Sequence, residues 1–223
     1  MEISWMLARV PLFTGIDRAD LPGLLGCVGA REREFQKGEV LLHRGDRTEQ
    51  LGLVLSGTVQ VVREDFWGNR SVVGLVEAGG IFAESYALAG QPLEVSVQAV
   101  SSGQVLFLNA GKVISGCAQG CGFHEQLSRN LLALLARKNL MLTEKMRHMA
   151  RKTTREKLLS YLSAQAVRAG SSEFDIPMDR QQLADFLAVE RSAMSATLSR
   201  LRDEGVLEFR KSHFRLLRQD EED

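Results

Sequence analysis

Two groups of residues in this chain combine reactive types with short spacing. The first is Arg191, Ser192, Ser195 and Ser199, followed by Arg200 and Arg202. On a helix Arg191, Ser192, Ser195 and Ser199 point away from the apolar positions Met194, Leu198 and Leu201, and the two later arginines follow them. Small hydroxyl residues let a helix come close to base edges in a major groove, and an arginine can fork onto guanine. The bland alternative is a solvated amphipathic helix. The second group is Cys117, Cys121 and His124, a C-x3-C-x2-H cluster among Gly116, Gly120 and Gly122. These are soft-metal or haem ligands, and two thiols are also a redox pair. Three ligands fall short of a closed zinc site, and a cysteine is often only a small buried apolar residue. Catalytic patterns are absent: His43, His124, His148 and His213 are scattered, with no Ser-His-Asp, paired-acid or phosphate-loop arrangement. An enzyme is not expected.

The elements that must hold the first group lie within residues 179–217. Asp179 is a good helix N-cap, and Gln182 three residues on completes a capping-box pattern. Leu183, Phe186 and Leu187 form one apolar face at helical spacing. Ala188-Val189 is too short a break for a linker, so the next helix turns sharply, runs from about Arg191 to Asp203, and stops at Gly205. Val206-Leu207-Glu208-Phe209 and Phe214-Arg215-Leu216-Leu217 then flank the basic turn Arg210-Lys211-Ser212-His213 as a hairpin. The expectation is a winged helix–turn–helix.

The chain has 223 residues, 44% hydrophobic and 25% charged, with a formal net charge of zero. That is room for one large or two modest domains, and any field that attracts DNA must be local. Residues 151–218 carry thirteen Lys/Arg against nine Asp/Glu, and the acidic tail 219–223 adds four acids. The tail reads as a frayed, solvated end, with autoinhibition as its functional alternative. Met1–Val10 lacks the apolar core of a signal peptide, and no apolar run reaches the length of a membrane span. A cytoplasmic protein without membrane contact is expected. Three cysteines do not make a disulfide framework.

Upstream, short helices carrying Leu7, Leu12, Phe13, Leu21 and Leu24 give way at Arg31 to short apolar runs punctuated by glycine. Runs at 39–42, 51–55, 58–62, 71–76, 93–99 and 105–108 argue for a small sandwich or barrel. From Phe123 to Met149 glycine and proline vanish, which predicts a helix about 40 Å long. Leu132, Leu135, Asn139, Leu142, Met146 and Met149 are spaced 3, 4, 3, 4, 3, a heptad seam. Asn139 at an a position suits a parallel pair of helices, where two amides fix the register. The alternative is one broad core face. Leu127, Leu131, Leu134 and Met141 form a second stripe, assigned to packing on the strand-rich region. Thr153 with Glu156 starts a new helix after a break near Arg151-Lys152, which reads as a hinge. The domains are therefore 1–122, strand-rich, for which the resemblance named below implies an effector or sensor role; 123–152, a dimerisation helix and hinge; 153–218, a winged helix–turn–helix; and the tail 219–223.

The chain resembles the CRP/FNR superfamily of bacterial transcription regulators. Asp-Arg-Gln-Gln-Leu-Ala at 179–184 is similar to the family's entry into its first motif helix. Glu190-Arg191-Ser192-Ala193-Met194-Ser195 is similar to the start of its recognition helix. Lys37-Gly38-Glu39, Gly45-Asp46 and Leu55-Ser56-Gly57 match the turns of its β-roll. The sequence departs from the family at Glu190, Ser192 and Ala196, so the family's best-known half-site is not carried over. The resemblance implies an α+β fold with a β-roll (jelly-roll-like) sensor domain, a long dimerisation helix and a C-terminal winged helix–turn–helix. It implies a homodimer on an inverted repeat of double-stranded DNA, working with RNA polymerase under a small effector or redox signal. Arg191, Ser192 and Ser195 are the base-reading candidates; Arg180, Gln181, Arg200, Lys211 and His213 are the phosphate-contact candidates.

The family's pocket follows Gly79-Gly80, which nominates Glu84, Ser85, Leu93, Val95, Leu134 and Met141. Glu84 falls where cyclic-nucleotide binders place a ribose-contacting glutamate, or else caps a short helix. Near 93–94, where the family has its phosphate arginine, this chain has Leu93-Glu94, and no Lys or Arg occurs from Glu84 to Ala99. A buried phosphate needs a cation or converging N–H groups, so cyclic AMP is not the expected effector. Only Cys27 lies in the first hundred residues, which leaves an iron–sulfur cluster unsupported. A second reading is a metal- or haem-sensing module built on Cys117, Cys121 and His124, with the helical domain serving assembly.

Overall fold

The computed structural model describes residues 6–115 and 122–217. The chain divides into two compact units, Met1–Leu135 and Ala136–Asp223. The first opens with a 3-10 turn at Pro11–Phe13 and helix α1 (Leu21–Cys27). Strands β1 (Arg31–Phe35), β2 (Val40–Leu42), β3 (Gln50–Ser56), β4 (Thr58–Glu64), β5 (Arg70–Glu77) and β6 (Ile81–Phe82) follow. Helix α2 (Glu84–Ala89), β7 (Ser96–Ala99), β8 (Gly103–Asn109) and α3 (Ala110–Ser115) lead to the long helix α4 (Gly122–Met149).

The strands form two antiparallel sheets, β1-β8-β3-β6 and β2-β7-β4-β5. Strand β3 shows why: its five central residues are all buried. Leu51, Leu53 and Leu55 pack with the helical layer of Leu21, Leu24, Leu127 and Leu131, while Val54 packs with Val59, Val97 and Val105 between the sheets. Period-2 alternation with both faces covered gives a continuous apolar run. Gly52 is required by close approach, because a Cβ there would sit 2.1 Å from the Phe82 ring.

The second unit contains the rest of α4, then α5 (Thr154–Ala169), β9 (Glu173–Asp175), α6 (Arg180–Leu187), α7 (Arg191–Asp203), β10 (Leu207–Arg210) and β11 (His213–Leu216). Helix α4 ends at Met149, and α5 begins with the capping box of Thr153 and Glu156. The backbone N–H groups of Thr153 and Lys152, which donate to the Glu156 carboxylate, hold its pKa below the usual value. The boundary between units therefore lies inside α4, upstream of the break at 150–153. The last turns of α4 dock on α5: Glu144 takes both carboxylate oxygens to Arg168 at 2.9 and 2.7 Å, and His148 Nδ1 meets Ser160 Oγ at 2.8 Å. Burial lowers the His148 pKa and pushes the Tyr161 phenol up to about 12.

The two stripes assigned to α4 need revision. Leu127 and Leu131 are buried and Leu134 packs against the first core as expected, but Met141 is 68% exposed and belongs to the second unit. That exposure does not agree with the expected packing on the strand-rich core. Leu135, placed on the seam, instead packs against the first core. Leu132, Leu142 and Met146 remain over 60% exposed, as do Leu140 and Met141 beside them.

Candidate nucleic-acid interface

Helices α6 and α7 form the motif. Asp179 accepts from the Gln182 backbone N–H at 2.8 Å, and the Gln182 side chain accepts from Asp179 N–H at 2.8 Å. Helix α6 ends at Ala188, whose φ of 49° is left-handed and whose N–H returns to the last turn. Lys157 Nζ donates to the carbonyls of Leu187 and Ala188 and neutralises that helix end. Three residues on, α7 starts. Its cap Glu190 accepts from Ala193 N–H at 2.8 Å and from the Ser192 hydroxyl. Those donors, the Ser192 hydroxyl first, lower the Glu190 pKa.

The two faces of α7 differ sharply. Met194, Leu198 and Leu201 are buried with Leu158, Tyr161, Leu162, Leu183 and Leu187. Arg191, Ser192, Ala193, Ser195 and Ala196 are exposed. The Ser195 hydroxyl donates to the Arg191 carbonyl at 2.9 Å. Both serine protons are thus engaged within the helix, so each hydroxyl faces outward as an acceptor. Gly205, at φ 70°, ends the helix. The wing is a hairpin with Arg210 paired to His213 and Lys211-Ser212 as its tip, and β9 adds a third strand.

Phosphate-contact candidates separate into two kinds. Gln181, Arg200 and Lys211 are exposed, with Gln181 Nε2 donating to Asp185 at 2.9 Å. Arg180 and His213 are engaged elsewhere. The Arg180 guanidinium lies over the rings of Phe209 and Phe214, and burial lowers its pKa. His213 sits between Glu173 at 3.0 Å and Asp175 at 3.2 Å, which raise its pKa and surround it with negative charge. The spacing of charged types along the chain does not reveal either engagement, since both partners come from other elements.

In the first unit, a cleft of about 500 Å³ is lined by Arg44, Gly45, Ser85, Tyr86, Ala89, Gln91, Pro92, Leu93 and Glu94. Of the pocket candidates, Ser85 and Leu93 lie on the wall of this cleft, and Glu84, Val95, Leu134 and Met141 are not among its lining residues. Glu84 is buried in the first turn of α2. The cleft contains a cation that its own segment lacks: Gly45 N–H donates to the Leu93 carbonyl and Leu93 N–H to that of Asp46, which brings Arg44 alongside. Cys117 and Cys121 lie outside the described residues, as does the tail 219–223. His124 is buried, and among the described residues its Nδ1 has no hydrogen-bond partner. Among the described residues no cluster of three metal-ligating side chains occurs, and no helix is long and apolar enough to cross a membrane.

Residues 32–119 match the cyclic nucleotide-binding domain family, and residues 156–221 match the Crp-like helix-turn-helix domain. The chain belongs to the CRP/FNR superfamily. It is 25% identical over 198 residues to the transcriptional activator protein FnrA of Stutzerimonas stutzeri, covering 84% of this chain and 77% of that one. It is 26% identical over 213 residues to the probable transcriptional regulator flp of Lacticaseibacillus casei, covering 94% and 93%. The c-di-GMP-responsive global regulator CLP of Xanthomonas campestris shares the fold, with a TM-score of 0.57 at 16% identity over 91% of this chain and all of that one. As a CRP/FNR member with a Crp-like helix–turn–helix, the chain is a DNA-binding transcription regulator and not an enzyme.

Proposed function

We propose that this CRP/FNR regulator acts as a homodimer that reads an inverted repeat. Each α7 enters one of two successive major grooves about 34 Å apart. Arg191 forks onto guanine, and Ser192 and Ser195 accept from base amino groups. Arg200 and Lys211 neutralise phosphates, Gln181 donates a hydrogen bond to one, and together they set the register. The observation that carries this reading is the exposed first turn of α7, with Arg191, Ser192 and Ser195 open to solvent on a helix whose apolar stripe is fully buried. The exposed Leu132, Leu142 and Met146 of α4 support the dimer, since large apolar side chains on one helix favour burial against a partner.

The effector is a small molecule other than cyclic AMP, or a redox signal, acting on the first unit. Arg44 is the cation that an anionic effector would meet, and the neighbouring Glu94 carboxylate opposes a dianionic phosphate.

Selection of bound sites from random duplex DNA, followed by gel shifts with wild type and Arg191→Ala, tests the interface. An inverted repeat should emerge, and the variant should bind selected and scrambled DNA almost alike. Undiminished discrimination in Arg191→Ala would remove that residue from base reading.

A further inference from the structure

The Arg180 side chain occupies an unusual place for a cation at a DNA-binding surface. It is half-buried, and its guanidinium carbon lies 4.8 Å from the Phe209 ring centroid and 5.0 Å from that of Phe214. Among the described residues no carboxylate lies within ion-pair distance of it. The two rings are 6.1 Å apart and tilted by 32°, and Phe214 stacks in turn on Phe174 of β9 at 6.3 Å. Arg202, in the last turn of α7, lies over Phe209 at 5.6 Å. One guanidinium from each motif helix therefore meets the same wing aromatic. A cation over a ring face is attracted by the ring's quadrupole, and the attraction grows as water is excluded. A planar guanidinium also stacks, which an ammonium does not.

We propose that Arg180 is a positioning residue that clamps the wing to the helix–turn–helix through Phe209 and Phe214, not a phosphate ligand. The clamp holds the Lys211 tip at a fixed offset from the α7 groove face, so helix and wing engage the duplex together. The inference rests on the DNA-binding reading above and adds a role for a residue whose charge alone nominates it for phosphate.

Salt dependence separates the two roles. Each neutralised phosphate contributes about −0.9 to the slope of log K against log salt on duplex DNA. The full chain is compared as wild type, Arg180→Leu, Arg180→Lys, Phe209→Leu and Lys211→Ala, on the selected site. A clamp predicts weaker binding in Arg180→Leu with the slope reduced by about 0.9, because releasing the wing uncouples Lys211, and no further reduction in the Arg180→Leu/Lys211→Ala double variant. It further predicts no rescue by lysine and the same defect in Phe209→Leu. Lys211→Ala should weaken wild type several-fold but have little further effect in the Arg180→Leu background. A slope that falls by about 0.9 in each of Arg180→Leu and Lys211→Ala and by about twice that in the double variant, rescue by lysine, and wild-type binding in Phe209→Leu would together make Arg180 a phosphate contact and overturn the clamp.

Proton NMR of the DNA-free protein gives a readout independent of DNA. The Arg180 Cδ protons should be shifted upfield by the two rings and return toward ordinary values in Phe209→Leu. Unshifted protons in wild type overturn the clamp whatever the DNA result. Failure of wild type to bind any duplex, with the shift intact, overturns the DNA interface instead.

Discussion

The recognition face of α7 and the cleft of the first unit are built in opposite ways. The face comes from Arg191, Ser192, Ala193, Ser195 and Ala196 on one capped helix, and its geometry follows from 3.6 residues per turn and a buried stripe behind it. The cleft joins residues 44–45 to 85–94, drawn together by backbone hydrogen bonds between Gly45, Asp46 and Leu93. A local face keeps its chemistry as long as its helix stays folded. An assembled cleft can change shape when any of its segments moves, which suits a sensor more than a reader.

The dimer reading carries the largest expected effect. Leu142→Glu with Met146→Glu places charge on the exposed face of α4 and should give a monomer by sedimentation. Loss of simultaneous engagement should weaken binding to the inverted repeat by roughly 10²- to 10⁴-fold. A dimer that persists in the double variant would move the seam elsewhere.

The dependence of the recognition face on its buried stripe comes next. Leu198→Ala should cost about 2–5 kcal/mol of second-unit stability by chemical denaturation, because its burial leaves a cavity. Ser195→Ala, on the exposed side, should stay within about 0.5 kcal/mol. Similar values for the two would contradict the separation of faces.

The wing supplies a smaller, pH-dependent effect. Glu173 and Asp175 raise the His213 pKa above 6.5, so the folded protein holds that proton more tightly than the unfolded chain. The resulting stability is fully present below pH 6.5 and is lost as pH rises through the higher folded value. Thermal denaturation across that window should show a fall that His213→Gln removes.

The smallest effect is expected at the cleft with the wrong ligand. Cyclic AMP at about 1 mM should leave the melting temperature unchanged, whereas a ligand at 100 times its Kd stabilises by about 2.7 kcal/mol. A rise of several degrees, abolished in Arg44→Gln, would restore the nucleotide and place its phosphate at Arg44.

Much of the architecture could be read from local pattern. The capping residues Thr153-Glu156 and Asp179-Gln182, the stripe of α7, its Gly205 stop and the wing hairpin stand where their short-range chemistry puts them. Strand β1 escaped detection because Arg31-Glu32-Arg33-Glu34 has no apolar alternation. It is an edge strand whose pairing with β8 supplies what its side chains do not. Met141 was misplaced because helical spacing alone does not identify where the neighbouring core ends.

The sequence by itself determined the elements and the chemistry of α7, since caps, periodicity and glycine stops act over a few residues. Tertiary structure decided what distant residues do to one another. It brought Arg44 into a segment with no cation of its own, laid Arg180 on two wing phenylalanines, and enclosed His213 between two carboxylates. Those outcomes depend on which strands pair and which faces meet, and electrostatic and stacking energies are set by distances in space rather than by separation along the chain.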